Sequence, residues 1–349
     1  MAYTDIDKPS DYFVTNLYTG NSGTQTISGL DFQPDFLWIK DRNATSSHYL
    51  CDAVRGSTKR LRSDTNAAEA TLTNAVTSFT SDGFAMGNHD AVNSDGTPYV
   101  AWNWKAGTSV SGDTTGSGTL KTYTGSVNTT SGFSIIKYTG NGTAGHTIPH
   151  HLGVAPSAIF VKKLNELGDW SSYHSVLGNA GYMRLNNTNA FATASTYWNN
   201  TSPTSSVFTT GTTGNINGSG STYIAYCFAE KKGYSKVGGS YTGNGNVNGS
   251  YIHLGFKPAW VMIKLTSGAG EDWKIYDDKR LGYNAANKSL AANTNAADSN
   301  SNISIDILSN GFKNRNTSGA LNSSGATYIY MAFAENPFTT STGIPATAR

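Results

Sequence analysis

Three short segments of the chain alternate large apolar residues with small or polar ones. They read Tyr99-Val-Ala-Trp-Asn-Trp104, Tyr223-Ile-Ala-Tyr-Cys-Phe228 and Tyr328-Ile-Tyr-Met-Ala-Phe333. A period of two puts Val100, Trp102 and Trp104 on one face of a strand, and does the same for Ile224, Tyr226 and Phe228, and for Ile329, Met331 and Phe333. The other face carries Ala101, Ala225 and Ala332. Such a face either admits a neighbouring sheet closely or is solvated. A second pattern is apolar on both faces: Pro34-Asp-Phe-Leu-Trp-Ile-Lys40, Pro156-Ser-Ala-Ile-Phe-Val-Lys162 and Pro258-Ala-Trp-Val-Met-Ile-Lys264. Leu37 and Ile39 alternate with Phe36 and Trp38, which predicts a central strand covered on both sides. The leading proline has no N–H to offer a ladder and suits a strand's first residue.

These segments recur in a fixed order with other landmarks. Tyr-Thr-Gly-Asn stands at Tyr18–Asn21, Tyr138–Asn141 and Tyr241–Asn244. A serine precedes a phenylalanine by three residues at Ser81/Phe84, Ser205/Phe208 and Ser309/Phe312. Turn-forming Asn/Ser/Gly strings precede each closing strand, and their Asn and Gly accept the positive φ of tight turns. A weaker match is Asp64-Thr-Asn-Ala-Ala, Asn187-Thr-Asn-Ala and Asn293-Thr-Asn-Ala-Ala. Repetition in this order predicts three tandem copies of one unit. The predicted fold is all-β, three tandem β-sandwich modules of jelly-roll or lectin-like type, each of about seven or eight short strands. An up-and-down barrel is the alternative. Helical periodicity is confined to Thr65–Ala75 and Ala285–Ala292.

The landmarks set the predicted boundaries: an N-terminal segment 1–10, a first module 11–107, a Gly/Ser/Thr-rich linker 108–131, a second module 132–232, a third 233–335 and a tail 336–349. The linker is either flexible or holds an extra strand, since Lys121-Thr-Tyr-Thr-Gly125 echoes the opening motif. The second and third modules meet with almost no linker, which predicts a rigid pair with the first at a different angle. The tail reads as extended and ready to dock on a neighbour.

Composition narrows the function. Charged residues make up 14% of the chain and the net charge is +2, so no broad field would steer nucleic acid or an acidic membrane. With 38 Gly and 19 Tyr, the chain has turn formers and something to bury. Cys51 and Cys227 fall at non-matching places, which argues against a disulfide framework and a zinc site. The segment Met1–Pro9 lacks the apolar core of a signal peptide. No apolar run approaches a membrane span. Synthesis in a cytoplasm is expected, with any outside role reached by assembly and lysis.

Candidate chemistry is sparse. His146, His150 and His151 sit close in sequence, and imidazole is a common metal ligand. The first copy has Gly29 where the second has His151 and the third His253, so the unit does not need the cluster. Trp170, Tyr173, His174, Trp273 and Tyr276 are the candidate glycan contacts, because a sugar's apolar face stacks on an aromatic ring. Repeated aromatics at one place also serve a core or a contact between modules, and that is the favoured reading. Asp52, Arg55, Lys59 and Arg62 form a charged run, echoed by Asp277, Asp278, Lys279 and Arg280. A surface ion-pair face is expected there, with an inter-subunit contact as the sharper alternative. Glu230 and Glu335 align, but Ala106 holds their place in the first copy. Nucleophile-elbow, zincin and phosphate-loop motifs are absent. No catalytic residue, metal site or cofactor is implied.

Several strings resemble a family of marine bacteriophage proteins with tandem copies of a β-rich domain, of tail-fibre-like or virion structural type. They are Gly132-Phe-Ser-Ile-Ile-Lys-Tyr-Thr-Gly-Asn-Gly-Thr143, Tyr197-Trp-Asn-Asn-Thr-Ser-Pro-Thr-Ser-Ser-Val-Phe208, Tyr223-Ile-Ala-Tyr-Cys-Phe-Ala-Glu230, Gly255-Phe-Lys-Pro-Ala-Trp-Val-Met-Ile-Lys264 and Tyr330-Met-Ala-Phe-Ala-Glu-Asn-Pro-Phe338. The resemblance implies a virion component. The expectation is a non-enzymatic structural protein on the particle exterior, as a tail fibre or tail-associated part, with host glycan contact conceivable. A capsid decoration or head fibre, a carbohydrate-binding adhesin and a polysaccharide depolymerase are the alternatives. Expected partners are other virion proteins and further copies of the chain, a trimer included, with no nucleic acid and no membrane insertion.

Overall fold

A computed structural model describes residues 3–345 except 269, 281–283 and 285, and except the side chains of 300–303. The described residues are strand and turn, broken only by four-residue helices at Asp90–Asn93, Ser195–Trp198 and Gly214–Asn217 and a 3-10 turn at Pro9–Asp11. Three large antiparallel sheets share one central order. In the first, the opening strand Phe13–Thr19 pairs with the closing strand Pro98–Trp104, then Phe36–Asp41, Tyr49–Asp52 and Gly56–Leu61 follow. The second runs Phe133–Thr139, Thr222–Phe228, Ala158–Lys163, Ser171–His174 and Gly181–Arg184. The third runs Ser235–Thr242, Thr327–Pro337, Phe256–Leu265, Lys274–Asp277 and Ala286–Ala291. A smaller sheet accompanies each of the first two. In the third, the equivalent strands Ser299–Leu308, Gly311–Asn314 and Tyr251–His253 continue the large sheet. The arrangement is all-β and consistent with β-sandwich packing.

The central strands of each large sheet are buried on both faces, and the two faces do different things. Leu37, Ile39 and Ala101 lie in a core private to the first copy. Ile159, Val161 and Ala225 do so in the second, and Val261, Ile263 and Ala332 in the third. The small alanine face of each closing strand therefore lies inside its own copy. The large face, from Val100, Trp102 and Trp104 to Ile329, Met331 and Phe333, enters one core shared by all three copies. Phe36 meets Tyr226 at 4.4 Å between ring centres, Phe228 meets Phe333 at 5.9 Å, and Trp104 meets Trp260 edge-on at 5.7 Å.

The contact is cyclic. Glu69 N–H donates to Leu164 O (2.8 Å), Phe191 N–H to Thr266 O (3.0 Å) and Asp298 N–H to Arg42 O (2.9 Å), at equivalent places from first copy to second, second to third and third to first. The first copy does not sit at a separate angle from a rigid pair. Its Phe36, Trp102 and Trp104 are as deep in the shared core as their counterparts.

Other expectations change with the strands. Residues 65–75 form no helix; Ala70–Thr71 is a short edge strand. Ala286–Ala291 is a strand, not a helical turn, and Ala285 lies outside the described residues. Residues 108–131 hold strands Thr108–Asp113, Thr115–Gly116 and Thr122–Asn128, the outer two extending the second large sheet. Pro258 lies within Phe256–Leu265 rather than before it, and the register slips on either side of it, as a missing N–H requires. After Pro337 the tail turns back on its own chain, where Ser341 N–H donates to Asp7 Oδ1 (2.6 Å).

Candidate functional site

The repeated polar landmarks converge on one loop in each copy. Asn93, Asn217 and Asn322 are fully buried. Each accepts the backbone N–H of the landmark asparagine through Oδ1: Asn21 (2.8 Å), Asn141 (3.0 Å) and Asn244 (2.9 Å). Their Nδ2 groups donate to loop carbonyls, including Gly87, Gly211 and Asn316. The landmark tyrosines Tyr18, Tyr138 and Tyr241 donate to the carbonyls of Val92, Ile216 and Leu321 and stack on Tyr99, Tyr223 and Tyr328. Gly20, Gly140 and Gly243 belong to the motif because a Cβ there would overlap a carbonyl of the facing loop. Tyr-Thr-Gly-Asn is thus the clasp that ties the opening strand to the turn before the closing strand.

The candidate glycan rings are covered by protein. Trp170, Tyr173, His174, Trp273 and Tyr276 are all buried. Trp170 Nε1–H donates to Arg62 O (2.8 Å) of the first copy, and Trp273 Nε1–H donates to Arg184 O (2.9 Å) of the second. His48 holds the same place in the first copy. Its Nδ1 accepts from Trp38 Nε1 (2.7 Å), which leaves Nε2 to donate to Ala291 O (3.0 Å) of the third. Burial lowers the His48 pKa to about 4, so it stays neutral in this role. Tyr173 and Tyr276 lie in the private cores of their copies. The stacking reading therefore has no free ring face at these positions.

The charged runs are where sequence reasoning departs furthest from the structure. Asp52 and Arg55 pair at 2.6 Å with side chains 0% and 1% exposed, not on a surface face. Arg55 also reaches Glu69 (3.1 Å), and Tyr226 of the second copy donates its O–H to Asp52 Oδ2 (2.7 Å). Asp277 and Arg280 repeat the arrangement in the third copy at 2.6 Å. There Arg280 reaches Asp298 (2.8 Å), and Trp102 of the first copy donates Nε1–H to Asp277 Oδ2 (3.1 Å). Each clamp satisfies a buried acid from two copies at once. Burial alone would lower the Arg55 pKa, but Asp52, Tyr226 and Glu69 outweigh it and hold the group above its ordinary range. Lys279, by contrast, is an exposed member of its run and Lys59 is half-buried. The signal was present in the Asp-x-x-Arg spacing of both runs.

The second copy lacks this clamp. Strand register puts His174 opposite Ala158 as Asp52 stands opposite Phe36 and Asp277 opposite Trp260. Leu177 and Phe191 then hold the places of the arginine and the second acid, and Met331 that of Tyr226 and Trp102.

The remaining candidates are kept apart. His146 bonds Asn217 (3.0 Å) and Thr114 (2.7 Å), His150 bonds Thr204 O (3.1 Å), and His151 bonds Tyr123 (2.8 Å). The sequence cluster is not a spatial one, and no group of three His, Cys, Asp or Glu side chains converges among the described residues. Glu230 pairs with Lys236 (2.8 Å) and Glu335 with Lys257, each at its own sheet end. Sequence reasoning missed the buried lysines that end the proline-led strands. Lys40, Lys162 and Lys264 are fully buried, and burial lowers each pKa to about 8. Lys162 reaches Asn66 O (3.4 Å) of the first copy and Lys264 reaches Thr188 O (3.0 Å) of the second.

No curated protein and no solved structure matches the chain. A family match does cover residues 8–337, from just before the first opening strand through the last closing strand. The chain belongs to that family, which is described as a domain of unknown function, DUF7483.

Proposed function

We propose that this chain is a non-enzymatic structural protein of a bacteriophage virion, carried on the particle exterior as a tail fibre or tail-associated component, and that its copies are tandem β-sandwiches of jelly-roll or lectin-like type. The observation that carries the structural reading is the internal use of the repeated polar residues: the asparagine clasps hold loops, and the ion clamps and lysines join copies. The phage assignment draws on the motif strings quoted above. Contact with a host surface, glycans included, falls to loops that differ between copies, such as those presenting Leu167, Val176 and Val247. Any homo-oligomer is built from outer edges, of which the exposed strand Thr108–Asp113 is one, because the large apolar faces are already used within the chain.

The cyclic contact favours a second reading, a capsid decoration protein. One chain presents related surfaces around an axis and suits a partner of matching symmetry. Immunogold electron microscopy of purified particles separates the readings. Label along the tail supports the first and label spread over the head the second. Label in infected-cell lysate with none on particles defeats both.

A further inference from the structure

We propose that the contact between the second and third copies is a binding site for one soft monovalent metal ion, Cu(I) or its redox-inert analogue Ag(I), held by His174, Met183, Met262 and Met331. These residues line one small cavity of about 10 Å³, the space of a single water-sized particle. Three of the chain's five methionines meet there. At the equivalent places, by strand register, the other copies have Leu61 and Leu290 for Met183, Trp38 and Phe160 for Met262, and Trp102 and Tyr226 for Met331. The methionines thus gather at the one contact where the buried acid is a histidine.

His174 supplies the second observation. It is 5% exposed, and neither ring nitrogen makes a hydrogen bond of good geometry, although the Tyr330 backbone lies close. A buried imidazole without partners is costly, and ligation by one nitrogen, with the other turned to the Tyr330 backbone, satisfies both. A neutral imidazole keeps one ring nitrogen as an acceptor with a free lone pair. The donor set is one neutral imidazole and three thioethers with no carboxylate. Such a set selects a soft monovalent ion and rejects Zn(II), Mg(II) and Ca(II). Methionine as a flexible gap filler accounts for each thioether singly but not for the unpartnered histidine beside them.

The test titrates anaerobic Cu(I), buffered by a chromogenic chelator, into the full chain carrying Cys51→Ala and Cys227→Ala, since both free thiols would compete. One equivalent is expected to bind, with nitrogen and sulfur neighbours in the X-ray absorption spectrum and a raised Tm in Ag(I). His174→Gln and Met331→Leu are each expected to weaken binding by at least about tenfold, and Met86→Leu to leave it unchanged. Met331→Leu nearly conserves volume, so its metal-free melt reports whether the fold is intact. Met262→Leu serves as the substitute if it is not. No binding above a Zn(II) control, or binding that survives both ligand variants, overturns the proposal.

Discussion

The contact from first to second copy and the contact from second to third occupy the same place in the repeat and use opposite chemistry. One buries Asp52, Arg55 and Glu69 against the Tyr226 hydroxyl. The other sets His174, Leu177 and Phe191 against the face of Met331. The third contact, Asp277, Arg280 and Asp298 against Trp102, repeats the first. Where the acid is lost, the arginine, the second acid and the donor are lost with it. This is what buried charge demands. A complete clamp and a set without formal charge are both tolerable, while a charge missing its partner is severely destabilising. The clamps fix how copies register, and the shared apolar core supplies the cohesion.

The largest effect should come from isolating a copy. Residues 132–232 alone expose Ile135, Phe160, Trp170, Tyr226 and Phe228, each worth about 1.5–3 kcal/mol when buried. The excised piece is expected to aggregate or stay unfolded by circular dichroism and gel filtration; a folded monomer would break the comparison. Next is Arg55→Met, which strands Asp52 in the interior and should cost about 3–5 kcal/mol in denaturant unfolding. A cost under about 1 kcal/mol would mean the clamp is a solvated surface pair. Tyr226→Phe removes a donor to Asp52 and an acceptor for Arg55 Nη2 and should cost about 1–3 kcal/mol. The sharpest comparison is a transplant of Asp52→His, Arg55→Leu, Glu69→Phe and Tyr226→Met together. It should fall well short of Arg55→Met, within about 2 kcal/mol of the parent chain, because no charge is left unpaired.

A separate effect is the pH response of the buried lysines. Their pKa falls from 10.5 to about 8 on folding, so between those values the unfolded chain binds more protons. Stability should therefore rise with pH from about 8 and gain a few degrees of Tm by about pH 9.5. Beyond pH 10 the sign reverses, because burial keeps Tyr18, Tyr138 and Tyr241 protonated in the fold while unfolded tyrosine ionises. A flat profile from pH 8 to 9.5 would mean that the lysine ammonium groups are fully solvated.

The alternation of Val100, Trp102 and Trp104 with Ala101 gave the two faces of the closing strand directly from sequence. So did the apolar run Phe36–Ile39 for a strand buried on both sides. Which partner each face meets was not legible, because a period of two says that a face is covered and not by what. The clamp residues were misread for a related reason. Asp52 and Arg55 are ordinary surface types taken singly, and only the contact with Tyr226, 171 residues from Arg55, makes them interior. The pattern that could have revealed them is the joint change across copies, Asp/Arg/Glu to His/Leu/Phe, which needs the strand register to align. The five proposed glycan contacts were legible as a repeated place in the chain, but the burial of Trp170, His174 and Trp273 follows from cyclic closure and that of Tyr173 and Tyr276 from the private cores of their copies.

Copies that share one core should unfold as one body. Differential scanning calorimetry of the full chain tests it most directly. One transition is expected, with a van't Hoff enthalpy equal to its calorimetric enthalpy. Separate transitions, with the first copy melting independently of the other two, would contradict it.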